Sequence, residues 1–473
     1  MNWKIIFKSF KNKEMLKRIL GVLGIIVVFR FLAHVPVPMA DPTQLKDILE
    51  QTITSTDFGG FLNMLSGGAL ASFSIVLVGL SPYITASIIT QLLTKAIPKL
   101  EELHKDGESG RRKINQWTRM ITLPLAIVQS IAYIFILRET VLSGTTALSD
   151  IEPFQWVVAV SAMTLGSMLL MWLGEIITEK GIGNGISLLI FAGIISQLPK
   201  TLGTVWSSLT TVGEGEALNV FNWFTLPINA SVFYVVAVVA VLAVLVLYIL
   251  VKVNEAQRIV TINYAKRVRG NTVYGGVKSI LPIKIITAGV IPVIFAVAFL
   301  ALPAFLGQLF VASGSEALKD FGQTLIVMFQ NPNASQVIQT GMIGINQWIY
   351  PIAYFALVVL FTYFYTSIVF NSHEIAENLN RQGGFIEGVR PGKATEDYLK
   401  RTVNRLTLFG SITLGLIAVL PFLFEYIFAY MGVNAGSLAI GGTGLLIVVS
   451  VALETLRQVN SRALMVTYDD FQE

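Results

Sequence analysis

Few side chains in this chain have the type and spacing that catalysis or metal binding requires. Its 473 residues include no cysteine, which excludes disulfides and thiolate metal sites, and only three histidines, His34, His104 and His373. None of the three has a partner at the spacing of metal ligands. The sequence also offers no Ser-His-Asp set at a plausible position.

Three short motifs resemble functional signatures but do not complete them. The segment 373–377, HEIAE, has a glutamate where a zinc-protease helix needs its second histidine. The segment 388–394, GVRPGKA, is one residue short of a phosphate-binding loop and ends in alanine instead of serine or threonine. The glycines of 181–185, GIGNG, indicate a tight turn. We therefore predict that the protein is not an enzyme and holds no metal or cofactor.

The composition is that of a polytopic membrane protein. Hydrophobic residues make up 54% of the chain and charged residues 13%, and the mean hydropathy is +0.68. Soluble domains carry about 25% charged residues, so this chain has too few to cover a soluble surface. The same apolar content excludes intrinsic disorder.

Ten segments have the roughly 20 mostly apolar residues that a membrane-crossing helix needs. They are 19–36, 76–94, 117–138, 154–176, 186–205, 232–252, 284–306, 349–370, 404–424 and 440–457. With the N-terminus in the cytosol, 29 of the 34 Lys and Arg residues fall on the cytosolic side. Lys46, Arg138, Lys200 and Lys319 fall outside, and Arg30 lies within the first span. Because cytosolic loops are enriched in Lys and Arg, this distribution supports ten crossings with both termini cytosolic.

The predicted cytosolic segments carry most of the basic residues. We interpret residues 1–18 as an amphipathic arm whose lysines meet anionic lipid, and residues 460–473 as a cytosolic tail. The loops 253–283 and 371–403 are long and basic. They either hold the topology or dock a large acidic partner such as ribosomal RNA.

One apolar stretch, residues 58–75, is too short and too rich in glycine to span the membrane. It favours a re-entrant half-helix, because non-helical backbone at membrane depth survives only against protein or a water-filled cavity. The alternative is an interfacial loop.

The second and seventh spans share the motif Gly-x-x-Pro-x-Ile, at Gly79–Ile84 and Gly289–Ile294. The two spans hold the same place in each half of five, and an odd number of spans per half inverts the second copy. Inverted repeats are typical of transport proteins, whose functional path lies between the halves. We therefore predict two inverted five-helix halves, 19–230 and 231–459, with the two motifs facing each other.

The carboxylates of the spans lie near span ends, at Glu139, Glu175, Glu425 and Glu454. An ion-coupled transporter usually needs buried ionisable residues on its path, whereas aliphatic side chains at a constriction exclude water and ions by dewetting. The pattern favours a pore that stays shut to ions and admits something bulky. A secondary transporter of a small solute is the main alternative, and a scaffold without a pore is a third.

Several long blocks, in order along nearly the whole chain, resemble the SecY family of protein-export channels. Two of them are HKDGESGRRKINQWTR at 104–119 and MWLGEIITEKGIGNGISLLIFAGI at 171–194, and the others lie at 67–93, 255–267, 281–296, 383–395 and 442–455. The resemblance implies an all-helical, hourglass-shaped channel of two inverted halves with a short re-entrant plug helix. Unfolded secretory polypeptides would cross through it, and membrane helices would leave sideways into lipid.

The resemblance also implies roles for individual residues. A constriction ring maps onto Leu80, Ile84, Ile190, Ile294 and Leu420. The plug maps onto Gly67, Gly68, Ala69, Leu70 and Phe73. A lateral gate between spans 2 and 7 maps onto Thr85, Ile88, Gln91, Ile286 and Leu302. A docking site for the ribosome or the SecA motor maps onto Arg258, Lys266, Arg267, Arg390 and Lys393.

The implied setting is the bacterial cytoplasmic membrane. The implied partners are small SecE-like and SecG-like subunits, SecA, the ribosome, signal peptides, nascent chains and membrane lipids. Three positions depart from the family pattern: Ile259 replaces a second arginine, Ile286 replaces a polar asparagine, and Glu387 replaces a proline. We expect Ile259 and Glu387 to alter the docking contacts and Ile286 to make the gate harder to hydrate.

Overall fold

The computed structural model describes residues 13–38, 66–70, 72–136, 153–210, 217–220, 224–264, 267–269, 272–274, 278–311, 316–329, 345–430 and 442–469. The helices of the first half are α1 Lys13–Leu32, α2 Ser81–Ala96, α3 Pro98–Lys105, α4 Glu108–Ile136, α5 Pro153–Glu179 and α6 Gly185–Thr210. Those of the second half are α7 Ala230–Glu255, α8 Ile291–Val311, α9 Glu316–Phe329, α10 Ile345–Val369, α11 Ser372–Arg381, α12 Lys393–Tyr430 and α13 Gly442–Asp469.

Each of the ten predicted spans overlaps one of these helices. Within the described ranges, seven helices are long and apolar enough to cross a membrane. Large apolar side chains such as Val241, Val244 and Tyr248 of α7 are exposed at the protein surface. Water does not tolerate a continuous apolar surface of this kind, so these side chains indicate contact with lipid.

Two helices begin several residues later than the predicted spans. α2 starts at Ser81 instead of residue 76, and α8 starts at Ile291 instead of residue 284. The second residue of each helix is a proline, Pro82 or Pro292, which the first turn accepts because its missing N–H has no helical partner there. The residues before each start form turns and bends and are largely buried, so both helices begin inside the protein.

The basic loops contain strands that the all-helical prediction did not include. β3 Gln257–Tyr264, β6 Lys278–Lys284 and β7 Gly384–Ile386 form an antiparallel sheet in the order β6-β3-β7. β4 Arg267–Arg269 pairs with β5 Thr272–Tyr274 within the first loop. Outside the basic loops, between α6 and α7, β1 Ala217–Val220 pairs with β2 Phe224–Asn229. Strand pairing satisfies backbone groups that a loop of this length would otherwise leave to water.

The helices pack as two groups that meet along two seams. In the first group α4, α6 and α1 pack against α5, and α2 packs against α4. In the second group α10 packs against α8 and α12, and α13 packs against α7 and α12. The front seam joins α2 and α4 to α8, and the back seam joins α6 to α7 and α13. One hydrophobic core crosses both seams, with Ile88 and Ile190 on one side and Val293 and Ile447 on the other.

The helix α9 was not predicted. It packs along α8, and Gly307 and Gly322 lie where the two helices cross. A Cβ atom on Gly322 would lie 2.6 Å from the Gly307 carbonyl oxygen, so only glycine permits this approach.

Candidate functional site

Two cavities lie next to each other between the helix groups. The inner cavity has a volume of about 330 Å³, and its wall includes Arg119 in the first half of α4 and Glu175 near the end of α5. The predicted orientation places both residues towards the cytosolic side. The outer cavity has a volume of about 90 Å³ and a mainly apolar wall that includes Leu302 and Phe305 of α8.

Three isoleucines separate the two cavities. Ile84 of α2, Ile190 of α6 and Ile294 of α8 each line both the inner and the outer cavity. They come from three helices and from both helix groups, so their side chains form a partition across the space between the groups. Apolar side chains at a narrow point exclude water and ions, and they can separate because no bond joins them.

The structure places the other two predicted ring residues differently. Leu80 lies on the wall of the outer cavity only. Leu420 lies outside both walls, because α12 packs behind α10 and α13, and no described residue of α12 reaches either cavity. Helix α13 instead supplies Ile447, which is 1% exposed, to the outer wall. Sequence reasoning did not select Ile447, since it is one of several aliphatic residues in its span.

The described residues of the segment 66–80 lie beside the outer cavity, with Ser66 and Leu70 in its wall. The segment contains the five predicted plug residues, Gly67, Gly68, Ala69, Leu70 and Phe73. The described residues form a series of turns instead of the predicted half-helix, and residues 58–65 and 71 lie outside the described ranges. Gly67, Gly68 and Phe73 have φ values of 67°, 90° and 43°, and such left-handed residues cannot continue a right-handed helix.

The predicted gate residues fall partly on the front seam. Leu302 lines the outer cavity, and Gln91 lines the inner cavity, where its Nε2 donates to the Ser87 Oγ at 2.9 Å. Thr85 and Ile88 of α2 are buried at 7% and 5% exposure. Across the same seam, Tyr133 of α4 contacts Phe305 of α8 with ring centroids 5.4 Å apart. 

Ile286 lies away from the front seam. It precedes α8 and lines a small space with Leu250, Leu414 and Ile417 of the second helix group. The structure therefore places Ile286 among residues of the second helix group instead of on the predicted gate, because α8 begins only at Ile291.

Gln129 is a polar side chain at the front seam that sequence reasoning did not select. It lies on α4, is 7% exposed and lines the outer cavity. Its Oε1 atom has no hydrogen-bond partner within the described part of the chain. The available signal was an amide in the middle of the third span, where every unpaired polar group is costly.

An ion pair crosses the wall of the inner cavity. The Arg119 Nε donates to the Glu175 Oε1 at 2.7 Å and joins α4 to α5. The guanidinium is 46% exposed and the carboxylate 19% exposed. Other polar residues, including Asn115, Glu179 and Asn184, complete a wall that water can wet.

The two basic loops meet in one sheet. β3 of the first loop pairs with β7 of the second, and Ile262 lies opposite Ile386. A small core separate from that of the membrane helices lies under the sheet and contains Val260, Ile283 and Leu399. The two loops therefore form a single surface.

Three of the predicted docking residues lie on or near this surface. Arg258 on β3, Arg390 after β7 and Lys393 at the start of α12 are exposed. Arg267 is the first residue of β4, and Lys266 lies outside the described residues.

Comparison with known proteins places the chain in one family. The family model SecY matches residues 74–456. The protein translocase subunit SecY of Corynebacterium glutamicum is 39% identical over 473 residues, which cover 98% of each chain. The protein translocase subunit SecY of Streptomyces coelicolor is 38% identical over 471 residues, again covering 98% of each.

Solved structures share the fold. A protein-conducting channel matches with a TM-score of 0.61 and 21% identity over 93% of this chain and 90% of that one. A SecY protein, whose plug domain stabilises the closed state and maintains a membrane seal, matches with a TM-score of 0.58 and 18% identity over 92% and 89%. Sec61 in the canine ribosome–channel complex matches with a TM-score of 0.56 and 19% identity over 93% and 90%.

Proposed function

Because this chain belongs to the SecY family, we propose that it is the channel-forming subunit of a protein translocase. It conducts unfolded secretory polypeptides across the membrane and releases membrane helices sideways through the front seam. The observation that carries the proposal is the partition of Ile84, Ile190 and Ile294 between the two cavities. Membership of this family does not support the alternative function, a secondary transporter of a small solute.

At rest the partition and the segment 66–80 close the path. A polypeptide enters through the polar inner cavity, passes between the three isoleucines and displaces the segment beside the outer cavity. Flexible aliphatic side chains then contact the moving chain on all sides, and this contact limits ion flow. The proposed constriction ring contains Leu80, Ile84, Ile190 and Ile294. Ile447 takes the fifth position, which the family resemblance implied for Leu420.

The front seam acts as the lateral gate, with Thr85, Ile88, Gln91 and Leu302 along it. It is held mainly by apolar contacts between α2, α4 and α8. When an apolar segment enters the seam, its own contacts with these helices replace the contacts that the helices made with each other. At about 0.8 kcal/mol per buried CH₂, a short apolar core supplies enough free energy to shift a gate poised within a few kcal/mol.

The chain makes and breaks no covalent bond, so the energy for transport comes from partners. The sheet β6-β3-β7 with Arg258, Arg390 and Lys393 forms the docking surface for the ribosome or for a SecA-like motor. Lys266 and Arg267 extend the same loop. Small SecE-like and SecG-like subunits complete the channel, and signal peptides, nascent chains and lipids are its transient partners.

The protein lies in the bacterial cytoplasmic membrane with both termini in the cytosol. The halves 19–230 and 231–459 form the channel, with the plug within residues 58–75. The loops 253–283 and 371–403, the arm 1–18 and the tail 460–473 face the cytosol. The distribution of Lys and Arg supports this orientation.

Translocation into proteoliposomes tests the proposal. The full chain, purified with its co-purifying small subunits, should transport a secretory precursor in the presence of SecA and ATP. The double substitution Ile84→Asn and Ile294→Asn should raise the ion conductance in planar bilayers, whereas Ile89→Asn, on the exposed side of α2, should not. Absence of transport by the unmodified protein would contradict the proposal.

A further inference from the structure

Arg30 is a charged residue in a segment predicted to span the membrane. It lies near the end of α1, between Phe29, which is 3% exposed, and Phe31. Among the described residues, no carboxylate lies within salt-bridge distance of its guanidinium. Ionisable residues inside membrane segments are costly and usually serve a function.

The guanidinium of Arg30 reaches the segment beside the outer cavity. Its Nη1 donates a hydrogen bond to the Gly67 carbonyl oxygen. The Ser196 Oγ of α6 lies 3.5 Å from the same oxygen and donates to the Gly193 carbonyl at 2.6 Å. One carbonyl of the segment therefore faces donors from two helices, and the stronger donor is the charged one.

The backbone around Gly67 is fitted closely to these helices. A Cβ atom on Gly67 would lie 3.0 Å from the Gly193 Cα and 3.2 Å from the Arg30 Nη1. A Cβ atom on Gly68 would overlap the Gln197 side chain. Both glycines have positive φ values, so a residue with a Cβ atom at either position would be strained as well as crowded.

The other end of the segment is fixed in a different way. The Val37 N–H donates to the Phe73 carbonyl at 2.9 Å, and the Ile75 N–H donates to the Val35 carbonyl at 3.0 Å. The Ser74 Oγ also donates to the Leu32 carbonyl at 2.7 Å. These bonds hold residues 73–75 to the end of α1 and the chain after it, whereas Gly67 contacts α1 and α6 through Arg30, Ser196 and the close fit of its backbone.

We propose that Arg30 is a positioning residue that holds the segment 66–70 in its closed place, so that release of its bond to Gly67 is a step in opening. The inference rests on the proposed function. The segment then moves as a flap hinged at residues 73–75. The charge on Arg30 has no other partner in the described part of the chain, which makes the Gly67 carbonyl its principal stabilising contact.

Conductance of the resting channel tests this role. The variants are Arg30→Leu, which removes the donor, and Arg30→Lys, which retains a charged donor, both in the full chain with its co-purifying subunits. A charge-assisted hydrogen bond corresponds to an open-to-closed ratio of about 10- to 100-fold, so Arg30→Leu should raise the resting conductance by that order. Arg30→Lys should restore most of the seal. Leucine lowers the cost of membrane insertion, so loss of folding is not expected.

Arg18→Leu is the matched control. Arg18 lies on the same helix and also donates to a backbone carbonyl, that of Lys180 at 3.3 Å, but at the opposite end of α1. Its removal should leave the resting conductance at the wild-type value. An equal rise in Arg18→Leu would contradict the proposal, because the effect would then follow from any loss of an arginine bond on α1.

A second measurement reports the position of the segment directly. The chain has no cysteine, so Ser66→Cys provides a single thiol at a position that is 8% exposed. A membrane-impermeant maleimide added outside should label this thiol faster when Arg30→Leu is also present. If the unmodified channel transports a precursor but Arg30→Leu changes neither the labelling rate nor the conductance, the proposed role of Arg30 is wrong. Failure of transport by the unmodified channel would instead overturn the proposed function.

Discussion

Gly79 and Gly289 adopt the same left-handed conformation, with φ values of 63° and 64°, at equivalent positions of the two inverted halves. Two residues later a helix begins in each half, α2 at Ser81 and α8 at Ile291. The Ile84 N–H then donates to the Leu80 carbonyl at 3.0 Å, and the Ile294 N–H donates to the Val290 carbonyl at 3.3 Å. The same backbone turn therefore delivers one partition isoleucine from each half.

Replacement of either glycine by alanine should destabilise the protein through the backbone alone. A Cβ atom would meet its nearest neighbour at 3.9 Å on Gly79 and at 3.5 Å on Gly289, which are ordinary contacts. The cost is then that of a left-handed alanine, about 1–2 kcal/mol for each substitution. Gly24→Ala, where a Cβ would meet no atom within 4 Å inside helix α1, should be neutral or stabilising. Thermal unfolding in detergent measures all three, and unequal costs at Gly79 and Gly289 would contradict the equivalence of the two turns.

The fifth residue of the constriction is predicted to be Ile447 and not Leu420. Ile447→Asn places an amide on the wall of the outer cavity, whereas Leu420→Asn changes a residue outside both walls. A barrier change of about 1.4 kcal/mol is tenfold in conductance, and an apolar-to-polar change at the wall supplies at least that. Planar-bilayer recordings should therefore show about a tenfold larger leak for Ile447→Asn. A larger leak for Leu420→Asn would instead assign the fifth ring position to Leu420.

The ion pair of Arg119 and Glu175 should couple α4 to α5. A double-mutant cycle with Arg119→Gln and Glu175→Gln should give a coupling free energy of unfolding of about 1 kcal/mol, since the pair is partly exposed. The pair of Arg112 and Glu108 has a similar distance, 2.8 Å, but lies within one helix at 76% and 84% exposure. Its cycle should give a smaller value, and equal values in both cycles would show that the inner cavity wall adds nothing.

Ribosome binding should depend on Arg258 and Arg390 together. Both are exposed near the sheet that joins the two basic loops. Each Arg→Glu substitution should weaken binding and reduce the slope of log affinity against log salt by about 1. Lys319→Glu, on the exposed surface of α9 and on the predicted outer side, is the control and should leave binding unchanged. Retention of the full slope in the double variant would place the docking site elsewhere.

Much of the architecture follows from local properties of the sequence. The ten spans follow from the length of the apolar runs, and their predicted orientation follows from the positions of Lys and Arg, because burial of apolar area in lipid does not depend on tertiary partners. The two Gly-x-x-Pro-x-Ile motifs also indicate the inverted halves, and they end at Ile84 and Ile294, two of the three partition residues.

Only the tertiary structure decided which distant residues meet. Ile447 and not Leu420 reaches the cavity wall because α12 packs behind α10 and α13. Ile286 lies away from the gate because α8 begins five residues after it. The bond from Arg30 to Gly67 and the pairing of Ile262 with Ile386 join residues 37 and more than 100 positions apart. Hydropathy and charge depend on each residue alone, whereas a contact depends on the packing of several helices at once, and a single sequence does not carry that packing in its local pattern.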